Sequence, residues 1–123
     1  MKNITEFTYN FSEYNNRVTM IDFINSLSEK AQAKISLYIH KLIEFKNNNI
    51  KIPERLSKQI TDGIFELRVN FENRISRNLY FYEHNKEIIF TNGFIKKTRT
   101  TPKSEISKAI KIWNYYKEHK KWI

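Results

Sequence analysis

Cysteine is absent from the 123 residues, and glycine and proline occur only twice each. Without cysteine there are no disulfides and no thiolate metal ligands, and the chain fits a reducing compartment. Long apolar runs are missing too. The longest, such as Leu79-Tyr80-Phe81-Tyr82, fall far short of the roughly 20 residues a membrane helix needs. The opening Met1-Lys2-Asn3-Ile4-Thr5-Glu6 has no apolar signal-peptide core. No stretch is of low complexity, so a single domain over residues 1–123 is expected, soluble, cytoplasmic and free of membrane contact. A chain of this size buries about two-thirds of its unfolded surface, enough for a core without covalent staples.

What the chain does have is positive charge, in one place. The net charge is +9, yet residues 1–54 hold seven Lys/Arg against six Asp/Glu, while residues 55–123 hold fifteen against seven. Such asymmetry points to an anionic partner engaged by the second half. Nucleic acid is the usual candidate, because neutralising phosphates releases counterions. A basic chain that merely stays soluble is the plainer alternative.

The patterning predicts a small α+β domain. Phe7, Tyr9 and Phe11 alternate with polar residues over Glu6–Ser12, a first strand. Val18, Ile21, Ile24 and Leu27 recur at helical spacing. A second helix begins near Ser28-Glu29 and runs to about Lys46, with Ala31, Ile35, Tyr38, Ile39, Leu42 and Phe45 as its apolar stripe. Asn47-Asn48-Asn49 ends it, and Pro53 keeps the following segment irregular. The two helices form an α-hairpin on one sheet face.

A three-strand meander follows. Phe65, Leu67, Val69 and Phe71 alternate with Glu66, Arg68 and Asn70. A three-residue turn, Glu72-Asn73-Arg74, pairs Phe71 with Ile75 and brings the two apolar faces together. Ile75, Arg77, Leu79 and Phe81 then share one face, with Ser76, Asn78, Tyr80 and Tyr82 on the other. His84-Asn85-Lys86 is the next turn, and Glu87–Ile95 is a central strand, bulky on both faces. A last helix, about Pro102 to His119, presents Ile106, Ala109, Ile110 and Trp113.

Between that strand and that helix lie Lys96-Lys97-Thr98-Arg99. Thr101-Pro102 reads as a hydroxyl cap with proline at the first helical position. Three cations therefore sit on a loop carried by a rigid sheet, which suits an anion such as phosphate.

These residues resemble the RelE/ParE superfamily of toxins from bacterial toxin–antitoxin pairs, in particular its HigB-like, phage-related branch. The resemblance covers nearly the whole chain. It is carried by Asp62-Gly63-Ile64-Phe65-Glu66-Leu67-Arg68, by Arg77 with Leu79-Tyr80-Phe81, and by Gly93-Phe94-Ile95-Lys96-Lys97-Thr98 through Thr101-Pro102-Lys103. Both glycines fall inside these motifs, as expected if each does a backbone job. Two departures from the branch stand out. Arg99-Thr100 stands where Gln-Lys is usual, and Asn78 replaces a small aliphatic residue.

The resemblance implies a RelE-like fold and a metal-independent endoribonuclease without cofactors. It would cut mRNA, on the ribosome in many relatives, by attack of a 2′-hydroxyl on the adjacent phosphate. It also implies a cognate antitoxin, a small helix-turn-helix protein, and a toxin–antitoxin complex that binds its own operator DNA. Such chemistry needs a base for the 2′-proton, cations for the phosphoryl charge and a donor for the leaving oxygen. Arginine suits the second task through its planar fork, and a lysine among cations can act as base. Arg77, Lys96 and Arg68 are the catalytic candidates; Lys97, Arg99, Lys103 and Arg74 are the RNA- and phosphate-binding candidates.

Arg77 leads because it falls in an apolar stripe, where a cation is costly unless paired or directed into a cleft. The plainer alternative for Arg68 is a pairing with Glu66 on its own face. Phe94, Tyr80 and Tyr82 are core aromatics before they are base-stacking platforms. His40, His84 and His119 are expected to be structural or surface residues, His84 for being roughly 30 Å along the strand from Lys96 at ~3.3 Å per residue. Two other functions stay open: a ParE-like gyrase inhibitor without nuclease chemistry, and an inactive module whose basic face binds antitoxin or nucleic acid.

Overall fold

The computed structural model describes residues 6–84 and 86–120. Trp122, Asn85 of the second predicted turn and the first five residues lie outside the described residues. In chain order the elements are β1 (Thr8–Phe11), α1 (Thr19–Asn25), α2 (Glu29–Asn47), β2 (Ser57–Thr61), β3 (Ile64–Phe71), β4 (Arg74–Glu83), β5 (Glu87–Ile95) and α3 (Lys103–Lys120). The architecture is mixed α+β, compatible with a RelE-like fold. No helix among the described residues is long and apolar enough to cross a membrane.

Local chemistry sets the ends of α2. The Ser28 side chain accepts a hydrogen bond from the Ala31 N–H at 3.2 Å, satisfying one of the free amides at the helix start. At the other end Asn49 takes φ 55°, with Ile50 N–H bonded to the Phe45 carbonyl and Asn49 N–H to that of Lys46. That is the left-handed stop in which the last carbonyls find partners. Between them Ala31, Ile35, Ile39 and Leu42 are buried, at i, i+4, i+8 and i+11.

The sheet runs β1-β5-β4-β3-β2, antiparallel except that β1 lies parallel to β5. Two features differ from the sequence expectation. The meander has four strands, because Ser57–Thr61 pairs with Ile64–Leu67 across Asp62-Gly63. Ser-Lys-Gln-Ile-Thr carries little apolar alternation, as suits an exposed edge strand. Gly63, at φ +74°, makes that turn, and a Cβ there would stand 2.2 Å from the Trp113 ring.

The second difference concerns register. The β3–β4 turn has two residues, not three: Glu72 and Asn73 both adopt positive φ (47° and 63°), and Phe71 pairs with Arg74. The three-residue expectation assumed one buried face. Both faces are covered, by α1 and α2 on one side and α3 on the other. The α2 side packs Leu67, Val69, Phe71, Tyr80, Ile88 and Phe90. The α3 side packs Ile64, Leu79, Phe81, Ile89, Ala109 and Tyr116. The odd-numbered residues of β4 therefore belong to the α3 side rather than to the face of Leu67 and Val69 (Leu67 faces Asn78, and Val69 faces Ser76).

Along α3 the buried residues are Ala109, Ile112 and Tyr116, while Trp113 stacks on Phe81 at 5.3 Å. Ile110, expected on the inner stripe, is 39% exposed. Pro102 sits one position earlier than predicted: its carbonyl accepts from Glu105 and Ile106, so it caps the helix rather than filling the first helical position.

Candidate functional site

The two-residue turn has a consequence for charge. It sets Arg68 directly opposite Arg77, and β5 sets Phe94 opposite Arg77 in turn. Lys96 extends the same ladder, its N–H bonded to the Ile75 carbonyl at 2.7 Å. By strand alternation Lys96 follows Phe94 on the face that carries α3. Arg68, Arg77 and Lys96 thus belong to one face of the sheet, in adjacent rows.

Glu66 lies at the centre of this face and is fully buried. Its Oε2 accepts from Arg68 Nε at 2.9 Å; its Oε1 accepts from the Thr101 hydroxyl at 3.0 Å and faces Arg77 Nη1 at 3.5 Å. A carboxylate taken out of water is tolerated only with such compensation. Arg77 is itself 2% exposed. Its Nη1 donates to Thr101 Oγ1 at 2.8 Å and its Nη2 to the Arg99 carbonyl at 2.7 Å, while Nε is buried without a hydrogen-bond partner among the described residues. Paired burial is what this cation in an apolar stripe required, and the pairing ties residues 99–101 down onto the sheet.

Thr101 is therefore not the helix cap its sequence context suggested. Its hydroxyl is spent between Arg77 and Glu66. The start of α3 is fixed by a second, part-buried contact, Asn92 Nδ2 donating to the Glu105 carboxylate at 3.0 Å and to its carbonyl at 3.3 Å. Both ends of the 96–102 loop are consequently anchored to the sheet.

The other sequence candidates distribute as follows. Arg68 keeps 26% of its side chain in solvent, oriented by Glu66. Lys97, Arg99 and Lys103 are exposed on or just after the anchored loop. Arg74, also exposed, shares the parity of Ser76 and Asn78 and so belongs to the opposite sheet face from Arg77. Phe94 packs, half-buried, against the α3-side core. Tyr80 is buried among aromatics, and that burial, with Tyr82 beside it, pushes its phenol far above the usual range. It stays protonated at any working pH.

The histidines lie elsewhere. His40 bonds the Ser36 carbonyl on α2, His84 is at the exposed β4–β5 tip, and His119 stacks on Tyr115 near the end of α3. That end packs toward Glu83 and Glu87, away from Lys96. Asn78, one of the two departures, is buried and donates to the Leu67 carbonyl and Ser76 Oγ. It faces Gly93, where a Cβ would stand 2.5 Å from the Phe23 ring of α1.

Sequence reasoning weighed Glu66 as a partner for Arg68, and the structure shows that pair; it missed the burial of Glu66 against Arg77 and Thr101, and the role of Thr101. The signal for Glu66 was available: an acidic residue two before Arg68 in a strand whose other parity is apolar. Thr101 gave none, because Thr-Pro before a helix reads as a cap. A family model described as "Phage derived protein Gp49-like (DUF891)" matches residues 22–114. No curated protein matches the chain.

Proposed function

The chain belongs to the phage-derived Gp49-like family, a family associated with RelE-like toxins of toxin–antitoxin systems, and from that premise we propose that it is a HigB-like endoribonuclease toxin acting on mRNA. The observation that carries this reading is the set of cations on the α3-bearing face: Arg68 partly in solvent, Lys96 two strands away in the next row, and the basic loop between β5 and α3 held down by Arg77. In the proposed reaction the 2′-hydroxyl attacks the adjacent phosphate, giving a cyclic phosphate and a free 5′-hydroxyl. Arg68 stabilises the phosphoryl oxygens as their charge builds, since Glu66 fixes the direction of its fork. Lys96 stands next along the face as the group that handles the proton. Lys97, Arg99 and Lys103 line the strand's path as backbone contacts. Arg77 works through the loop it anchors rather than by touching phosphate.

Purified protein incubated with translating ribosomes, followed by primer extension, tests the reading. Cleavage within the message is expected. Arg68→Ala should lower the cleavage rate by about 100-fold or more, the loss typical of removing one charge-stabilising donor. Arg77→Ala is a poorer test, because it unseats the loop as well. Intact message with wild-type protein refutes the reading.

The commitment of Arg77 to structure favours a second reading. The cations that set this chain apart from a pure binder are fewer once Arg77 is counted as framework, which strengthens the gyrase-inhibitor alternative. Growth arrest with broken DNA and intact mRNA distinguishes it.

A further inference from the structure

A concavity lies on the α2 side of the molecule. A cleft of ≈ 440 Å³ opens between the C-terminal half of α2 and residues 50–56. Tyr38, Phe45 and Leu56 give it an apolar floor, with Lys41, Arg55 and Asn70 at its margins. Ile50, which also lines it, is 55% exposed, a large apolar side chain left in water. Lys41 lies over the Tyr38 ring at 5.1 Å, and neither Lys41 nor Arg55 is ion-paired among the described residues. One acid, Glu44, lines the same cleft, so the cations outnumber it.

The cleft also meets an open strand edge. Because the β3–β4 turn has two residues, Phe71 and Arg74 form the hydrogen-bonded pair. Alternation then directs the Asn70 N–H and C=O to the other side of β3. There β2 has already ended: its first residue, Ser57, pairs with Leu67, and the Leu56 carbonyl takes the Arg68 N–H. Asn70 is exposed. Among the described residues, a main-chain donor and acceptor thus stand free beside an apolar floor and two cations outside any ion pair.

We propose that this cleft docks an extended segment of the protein partner, the antitoxin. The segment adds two main-chain hydrogen bonds at Asn70, seats an apolar side chain against Phe45 and Leu56, and places a carboxylate between Lys41 and Arg55. This is strand-edge recognition, in which the backbone supplies affinity and the pocket supplies selectivity. An acidic segment is favoured because the cleft's two free cations, on a chain of net charge +9, attract it. The inference rests on the toxin reading for the identity of the partner. It places that partner against α2 and the β3 edge, two residues along the strand from Arg68.

The test uses the full-length chain and the purified product of the adjacent reading frame as probe, with affinity measured by calorimetry. The Lys41→Glu/Arg55→Glu double variant, both positions exposed, should bind about tenfold or more weakly with its circular dichroism unchanged. Asn70→Pro, which removes an N–H that faces away from β4, should weaken binding as well. Arg68→Ala should bind as wild type does. Undiminished affinity of the double variant overturns the proposal while leaving the toxin reading intact. So does a double variant that keeps its affinity for the protein probe but loses RNA binding, because the cleft then serves nucleic acid. If wild-type protein binds no such neighbour, the pairing reading fails and this inference falls with it.

Discussion

The two faces of the sheet solve the same problem with different materials. Under α1 and α2, burial is mostly apolar, with Leu42, Ile39, Leu67 and Val69 fully or nearly fully excluded from water, and the polar side chains buried with them, Ser57, Ser76 and Asn78, are uncharged. Under the start of α3, a carboxylate, an arginine and a threonine hydroxyl are buried together instead. The apolar face tolerates loss in proportion to the volume removed. The polar face behaves as a unit, because any missing member leaves a charge or donor stranded in low dielectric. It also bears the functional candidates. The same ion cluster that holds the loop in place presents Arg68 to solvent.

The largest effect should come from breaking that unit. Glu66→Ala leaves Arg77 buried without its counter-charge and is expected to cost about 3–5 kcal/mol in denaturant unfolding. Leu42→Ala on the apolar face is expected to cost about 2–5 kcal/mol by cavity formation. The totals are similar, but the losses differ in kind. Glu66→Gln retains an acceptor for Arg68 and should recover part of the loss, whereas on the apolar face only volume counts, so Leu42→Met should recover most of it. If Glu66→Ala is as stable as wild type, the buried cluster is not a structural unit.

A smaller effect isolates the loop. Thr101→Val keeps the shape of the side chain and removes one hydroxyl that bonds both Arg77 and Glu66. Leaving those groups short of a partner should cost about 1–3 kcal/mol. Hydrogen exchange should quicken over residues 96–102 but not in α2. Equal exchange in both regions would mean that the loop is not held by this contact.

The elements of both faces were legible in the sequence; how they meet was not. The stripe Ala31, Ile35, Ile39, Leu42 and the alternation of β3 reported their own burial directly. Register was hidden because a strand covered on both sides shows apolar residues at both parities. Ile75, Leu79 and Phe81 looked like the partners of Leu67 and Val69 when they face the other way. An assumption of one wet face chose the three-residue turn, and with it the wrong neighbours for Arg77. Strand β2 was hidden for the opposite reason: an exposed edge has little apolar signal. Of the site, the cation-rich segments were visible, since charge in a strand or short loop is conspicuous. The buried partners that organise them were not, because Glu66 and Thr101 each had an ordinary local explanation.

The smallest expected difference between the faces concerns their tyrosines at alkaline pH. Tyr116, on the α3 side, has its phenol pushed up to about 12, first by burial and then by Glu87 and Glu83. A folded-state value above the unfolded one, about 10 for tyrosine, means that the unfolded chain releases its proton first. Stability from this source is complete below pH 10 and is lost as pH rises toward 12. Tyr80, on the α2 side, is shifted in the same direction and further, chiefly by its deeper burial. Tyr116→Phe should therefore flatten part of the decline in stability between pH 10 and 12 while leaving a residual decline that Tyr80 supplies. Its effect at pH 7 should be confined to whatever hydrogen bond the hydroxyl makes. A decline of unchanged slope in Tyr116→Phe would mean that the phenol is as well solvated in the folded chain as in the unfolded one, and that the α3 end of the sheet is looser than the face beneath α2.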